Sequence, residues 1–228
     1  MTDFVIPAPA QASVPVAGSA ARFPVHRIYC VGRNFADHAR EMGAEPPPRG
    51  QPVFFMKPAD AVHINGDVPY PSGTSDLHHE VELVVALGRD ADGVVDPAQA
   101  LDLVFGYTVG LDLTRRDLQA QAKDKRLPWD TSKGFDASAP IAALVPGRAV
   151  PTGTLWLEVN GERRQQSALS DMIFGVEDVI HELSKLFALR AGDLVYMGTP
   201  AGVAALQRGD RFVAAVDGLA RLEGRIAS

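Results

Sequence analysis

Two glutamates one residue apart at the head of an apolar strand place the strongest constraint on how this chain can fold. The segment His78-His79-Glu80-Val81-Glu82-Leu83-Val84-Val85-Ala86-Leu87 has the β-branched and apolar character of a strand, and Gly88 closes it. Side chains alternate faces along a strand, so Glu80 and Glu82 project to the same side. Two carboxylates that close repel each other, and burying either without a partner is costly. A fold that buries them must bring in positive charge, and a hard divalent cation serves because Mg2+, Mn2+ and Ca2+ prefer carboxylate oxygens. Left at the surface, the same pair is an ordinary solvent-facing strand edge. The pair alone does not choose between the two.

A third carboxylate favours the buried arrangement. Phe105-Gly106-Tyr107-Thr108-Val109-Gly110-Leu111-Asp112-Leu113 reads as a second, largely apolar strand with Asp112 near its end. Thr114-Arg115-Arg116-Asp117 then resembles a capping box that opens a helix to about Arg126. Asp112 alone could be a turn or capping residue. Together with Glu80 and Glu82 it completes a three-carboxylate site with positions left for water and substrate oxygens.

Beyond these residues the motifs resemble one family. Tyr29-Cys30-Val31-Gly32-Arg33-Asn34-Phe35-Ala36-Asp37-His38, Phe55-Met56-Lys57-Pro58 and the run from Leu111 to Gln119 stand in order. So do Leu127-Pro128-Trp129 leading to Lys133, Met172-Ile173-Phe174, and Gly192-Asp193-Leu194 running on to Gly198-Thr199-Pro200 and Gly202-Val203. With Glu80-x-Glu82 and Asp112, this set is similar to the fumarylacetoacetate hydrolase superfamily from about residue 27 to the C-terminus. The stretch from Phe4-Val5-Ile6-Pro7 to Phe23-Pro24-Val25 is most similar to its fumarylpyruvate hydrolases of aromatic-acid catabolism.

Composition narrows the class without choosing the reaction. The 228 residues suffice for one large domain. A net charge of -6, with no basic stripe, argues against nucleic acid. The single Cys30 excludes an internal disulfide framework, fits a cytoplasmic setting, and reads as a buried structural thiol. No apolar run approaches the roughly 20 residues of a membrane span. Residues 1–24, with Pro7, Pro9, Pro15 and Pro24, read as an extended arm, and residues 25–228 as a single catalytic domain. Short strands recur between turn signals at Asn65-Gly66, Asp92-Gly93 and Asn160-Gly161, the last joining a hairpin. Convincing helices are few; one runs through Val176, Val179, Ile180, Leu183, Leu186 and Phe187. Periodicity therefore gives a β-rich α+β fold, and the resemblance implies a mixed β-sheet roll or sandwich with peripheral helices. His181-Glu182 begins like a zinc-protease motif but lacks the second histidine, and no serine-hydrolase, dinucleotide or P-loop motif is present.

The resemblance also assigns roles. Phe35 to Met42 reads as a short helix with His38 and Glu41 on one face, an arrangement that by itself is more usual as an exposed surface pair. The family carries its catalytic dyad at these positions, with Glu41 orienting His38 to deprotonate water. It implies that Gly43 to Gly50 is a lid and that Lys133, in a loop after the Asp112 helix, stabilises a developing oxyanion. Arg116 and Gln119 would hold a substrate carboxylate, with Arg33, Lys57 and Thr199 as further substrate contacts. Phe35 stands where relatives often have tyrosine, and Met197 where they often have threonine. One Mg2+ or Mn2+ per subunit is implied, with Ca2+ as a crystal substitute, and so is a homodimer. The expected reaction is cleavage of the carbon-carbon bond of an acylpyruvate, with fumarylpyruvate giving fumarate and pyruvate as in gentisate-type catabolism. Oxaloacetate decarboxylation and unsaturated-diacid isomerisation are the alternatives, because all three pass through a metal-bound enolate.

Overall fold

A computed structural model describes residues 3–48, 50–64 and 66–228. Asn65 of the first turn signal and Arg49 of the expected lid lie outside the described residues. The principal strands are β1 (Ile28–Gly32), β2 (Val53–Lys57), β3 (Val81–Leu87), β4 (Val104–Leu111), β5 (Thr154–Val159), β6 (Glu162–Ala168), β7 (Leu194–Tyr196), β8 (Arg211–Val216) and β9 (Ala220–Arg225). The helices are α1 (Ala36–Glu41), α2 (Arg116–Asp124), α3 (Asp130–Lys133) and α4 (Val176–Ser184). The fold is the β-rich α+β arrangement expected, with short helices around mixed sheets.

A six-stranded sheet carries the molecule, in the order Val145–Pro146, β4, β3, β7, β1, β2. Strand parity divides its side chains between two cores. Tyr29 and Val31 of β1, with Leu83, Val85 and Leu87 of β3, face a large cluster that includes Leu155, Leu157, Phe212 and the apolar stripe of α4. Ile28 and Cys30, with Val84 and Ala86, face a smaller cluster on the other side. A four-stranded antiparallel sheet, β6-β5-β8-β9, closes over the large cluster, and the Asn160-Gly161 turn joins β5 to β6 as the sequence suggests.

Direction places the site. β1, β7 and β4 run the same way, and β3 runs against them. The carboxyl ends of β1, β7 and β4 therefore meet the amino end of β3 at one edge of the sheet. Glu82 shares its parity with Val84 and Ala86, so it points towards the smaller core, where Cys30 and Tyr196 are fully buried. Burial raises the Cys30 thiol well above its ordinary pKa, as suits a structural thiol.

The proline-rich arm divides in two. Ser13–Pro15 pairs with Arg22–Pro24 as a hairpin that seats Val14 and Phe23 in the smaller core. Ahead of it Phe4, Val5 and Ile6 stand exposed at 67%, 103% and 71%. Among the described residues, no helix is long and apolar enough to cross a membrane.

Candidate active site

Glu80, Glu82 and Asp112 are all buried, and one ligand oxygen from each lies within 4.8 Å of the others. β3 begins at Val81, three residues after the His78 at which the sequence starts the strand, yet the ladder is kept up by the Asp112 N–H donating to the Glu80 carbonyl at 2.8 Å. Asp112 lies one residue beyond β4, level with Glu80, so three carboxylates from two neighbouring strands converge.

The surrounding groups treat each carboxylate differently. Burial would raise Glu80, but the Lys133 ammonium and the Arg116 guanidinium hold it well below the usual carboxylate range. Glu82 goes the other way: burial, and then the charges of Asp112 and Glu80, push it well above that range. Its Oε2 accepts one hydrogen bond, from the Gly198 N–H at 2.7 Å. Gly198 sits at φ +92°, and a β-carbon there would lie 2.7 Å from the Asn34 side chain, so only glycine brings this donor in. Asp112 Oδ1 faces the Lys57 ammonium at 2.8 Å but has no aligned hydrogen-bond donor among the described residues. An all-oxygen donor set, one member of which is driven towards protonation by its neighbours, suits a hard divalent cation.

Two lysines depart from expectation. Lys133 ends the short helix α3 rather than sitting in a loop, and its ammonium bonds Glu80 Oε2 at 2.6 Å, Asp112 Oδ2 at 2.6 Å and Thr114 Oγ1 at 2.7 Å. An ammonium has three protons, so none remains for a substrate oxyanion while these bonds hold. Lys57 is fully buried behind the carboxylates, donating to the Leu113 carbonyl at 3.2 Å and to the Lys133 carbonyl, and does not line the cleft. The place expected for a substrate contact is thus that of a counter-charge to Asp112.

The helix after Asp112 also starts differently. Thr114 and Arg115 form a short strand with Leu77–His78, and α2 begins at Arg116 with no side-chain cap. Thr114 spends its hydroxyl on the Asp112 carbonyl and on Lys133, while Asp117 turns to Thr74, so the capping box does not form. α2 ends at Asp124, short of Arg126. Its face carries Arg116, Gln119 and, one turn on, Lys123 into the cleft. Arg116 bonds Glu80 and donates to Gln119 Oε1 at 2.6 Å, which turns the Gln119 amide so that its Nε2 can donate to substrate.

His38 lies on α1, as the sequence suggests, and is nearly buried at the cleft. Its Nδ1 is 3.3 Å from Glu41 Oε2. A carboxylate can only accept, so that contact puts the proton on Nδ1 and leaves Nε2 free as a base. Burial pushes the imidazole below its usual 6.5, against the opposing effects of Glu80 and Glu41. Glu41 is itself held by the Gly202 N–H, at 3.0 Å from Oε1. Gly202 sits at φ +97°, and a β-carbon there would lie 2.1 Å from the Arg164 carbonyl. Arg33, with φ +60°, and Thr199 also line the cleft.

Gln165 was not singled out by sequence reasoning. Its Oε1 accepts from the Val81 N–H at 3.1 Å and lies 2.8 Å from His79 Nδ1; its Nε2 donates to Thr199 Oγ1 and the Pro200 carbonyl, each at 2.8 Å. It ties the loop after β7 to the entry of β3. The signal available was a polar residue at an inward position of a hairpin strand. Of the two adjacent histidines, His79 is buried against Gln165 and His78 lies between Asp76 and Arg116, so neither is placed as a ligand.

A mixed sheet with a carboxylate triad at one edge, a buried histidine beside it and Arg116, Gln119 and Lys123 on the helix lining the cleft is the architecture of an enzyme site. The chain belongs to the fumarylacetoacetate hydrolase family: the family's C-terminal domain, described as fumarylacetoacetate (FAA) hydrolase C-terminal, matches residues 27–227. Fumarylpyruvate hydrolase from Pseudomonas aeruginosa, solved with Mn2+ and pyruvate, is 45% identical over 99% of both chains, with a TM-score of 0.94. A Burkholderia cenocepacia structure, provisionally assigned as a fumarylpyruvate hydrolase, is 53% identical over 100% of this chain and 99% of that one, with a TM-score of 0.92. Oxaloacetate tautomerase FAHD1, a mitochondrial protein of Rattus norvegicus, is 43% identical over 87% of this chain and 90% of its own length.

Proposed function

We propose that this enzyme hydrolyses the carbon-carbon bond of an acylpyruvate, fumarylpyruvate being the substrate of choice, to give fumarate and pyruvate. The observation that carries the reading is His38, a buried, neutral imidazole with a free nitrogen, beside a carboxylate triad. Hydrolysis needs a base to take a proton from water; keto-enol conversion needs one to take a proton from carbon, so the dyad serves either reaction and the choice between them rests on similarity. Support comes from the similarity to fumarylpyruvate hydrolase, which extends over the whole chain.

In this reading Glu80, Glu82 and Asp112 hold one Mg2+ or Mn2+. The bound cation supplies Lewis acidity at the 2-oxo acid end of the substrate. His38 Nε2 removes a proton from water directed at the acyl carbonyl, and Glu41, fixed by the Gly202 N–H, keeps the imidazole oriented and favours its charged form after transfer. Gln119 Nε2 is the donor we assign to the developing oxyanion, in place of Lys133, whose protons hold Glu80 and Asp112. Collapse of the adduct then breaks the carbon-carbon bond, leaving fumarate and pyruvate as its enolate, and the proton on His38 returns to the enolate carbon. Lys133 and Arg116 keep Glu80 ionised, and Lys133 and Lys57 hold Asp112 in place. Thr199 accepts from Gln165, so its own hydroxyl proton is free for a substrate oxygen.

A second reading, oxaloacetate keto-enol conversion or decarboxylation, is favoured by the similarity to the tautomerases. Purified protein with Mg2+ or Mn2+ should be offered fumarylpyruvate and oxaloacetate side by side. The hydrolase reading expects the higher kcat/KM on fumarylpyruvate, and a clear preference for oxaloacetate would replace it. Gentisate-type catabolism and a cytoplasmic location belong to this proposal; the lone buried cysteine suits a reducing compartment.

We extend the proposal to a homodimer. Phe4, Val5 and Ile6 are apolar yet exposed on the isolated chain, and a second copy would cover them. Sedimentation should report about twice the chain's 24.3 kDa at micromolar concentration; a species at the single-chain mass would refute this.

A further inference from the structure

The cations of the cleft fall into two sets. Lys133 and Arg116 are paired with Glu80 and Asp112 next to the triad. Arg33 and Lys123 line the same cleft, but neither makes an ion pair or a side-chain hydrogen bond among the described residues. Both are half-buried. Lys123 stands two turns beyond Arg116 on α2, about 10 Å further along the axis at about 1.5 Å per residue. Its ammonium lies 5.6 Å from the centroid of the Trp129 ring, which itself packs against Phe55. Arg33 is held in the left-handed region at φ +60° in the turn that follows β1, a conformation a non-glycine residue adopts at a cost.

Partly desolvated cations that crowd one another and have no paired carboxylate among the described residues favour a bound anion. Burial, and then the charges of Arg116, Arg33 and Lys133, push the Lys123 ammonium below its ordinary range against the opposing charge of Glu80. Met42, Phe55 and Trp129 add apolar surface to the same cleft, Phe55 beside the Lys133 ammonium and Trp129 beside that of Lys123. The cleft therefore offers a metal-type carboxylate site, an apolar lining and, further along α2 than Arg116, a cation with no ion-pair partner among the described residues.

We propose that Lys123 and Arg33 form a subsite for a second carboxylate, at the end of the substrate away from the triad, and so select acylpyruvates with an anionic tail over those with a neutral one. The inference rests on the acylpyruvate reading and adds a specificity-determining residue, Lys123, to it. The apolar lining would take the unsaturated chain. Lys123 needs the charge rather than the exact geometry, so arginine should serve in its place.

The test compares fumarylpyruvate, whose tail is anionic, with acetylpyruvate, whose tail is a methyl group, on Mg2+-loaded wild type, Lys123→Met and Lys123→Arg. Methionine keeps the stem and loses the charge. The ratio of kcat/KM for fumarylpyruvate to that for acetylpyruvate should fall about 10–100-fold in Lys123→Met, mainly through KM, and recover in Lys123→Arg. An unchanged ratio, or an equal loss on both substrates, overturns the subsite. Binding of fumarate against crotonate, read by calorimetry on the same three proteins, tests it without turnover. Wild type should prefer fumarate and Lys123→Met should lose that preference. Equal binding of the two by wild type overturns the subsite whatever the reaction proves to be. If wild type turns over neither acylpyruvate but prefers fumarate, the hydrolase reading falls and the subsite stands.

Discussion

Glu82→Gln is expected to abolish turnover while leaving the fold intact. The substitution removes one ligand charge and no volume, and the amide oxygen can still accept from the Gly198 N–H. In the metal-free protein Glu82 is the carboxylate most opposed by its surroundings, since burial and the charges of Asp112 and Glu80 all disfavour its ionised form. A neutral side chain relieves that repulsion, so metal-free Glu82→Gln should melt no lower than metal-free wild type. Activity should behave in the opposite way. Losing the cation removes several kcal/mol of transition-state stabilisation, so kcat/KM should fall roughly 10³-fold or more. Mg2+ or Mn2+ should raise the melting temperature of wild type and not of the variant. Full turnover by wild type stripped of metal and held in excess chelator would remove the triad from the mechanism.

His38→Ala should cost roughly 10²–10⁴-fold in kcat on fumarylpyruvate, the usual worth of a positioned base. The variant should retain metal and oxalate binding, because His38 is not among the proposed ligands. pH gives an independent check. A base works in its neutral form, which predominates above its pKa, and burial has moved that pKa below 6.5. Wild-type kcat/KM should therefore hold through neutral pH and fall only on the acid side of 6.5, and His38→Ala should lose that limb. If decarboxylation of oxaloacetate occurs, it requires no attacking water and should suffer less from the same substitution. Near-wild-type fumarylpyruvate hydrolysis by His38→Ala would show that another group is the base.

Local patterns in the chain account for much of this site. The parity of Glu80 and Glu82 and the position of Asp112 at a strand exit follow from period-two alternation and apolar flanks, and the structure brings all three together. The His38–Glu41 contact follows from spacing on one helical turn. Contacts set by distant parts of the chain were beyond such patterns. Lys57 and Lys133 lie 76 residues apart, and nothing local to either indicates that both turn inward to Asp112. Thr114 looked like a cap because its hydroxyl was free to be one; Lys133 claims it instead, a tertiary contact overriding a local preference. Gln165 reads in sequence as one more polar residue of an exposed hairpin, and its partners are 34 to 86 residues away. Lys123 was legible: it follows Arg116 by seven residues and Gln119 by four, the spacing of one helix face. The β-rich class emerged from recurrent short strands, whereas the order of the six-stranded sheet depends on the parallel pairing of β7 with β1, 166 residues apart in register.

The central claim is that water, deprotonated beside the triad, attacks an acylpyruvate. Turnover of fumarylpyruvate in water enriched in heavy oxygen tests it most directly. One labelled oxygen should enter the new carboxylate of fumarate in each turnover, at a rate matching pyruvate release, with metal present and His38 intact. Consumption of substrate that releases carbon dioxide, or that interconverts keto and enol forms without labelled fumarate, would contradict the account.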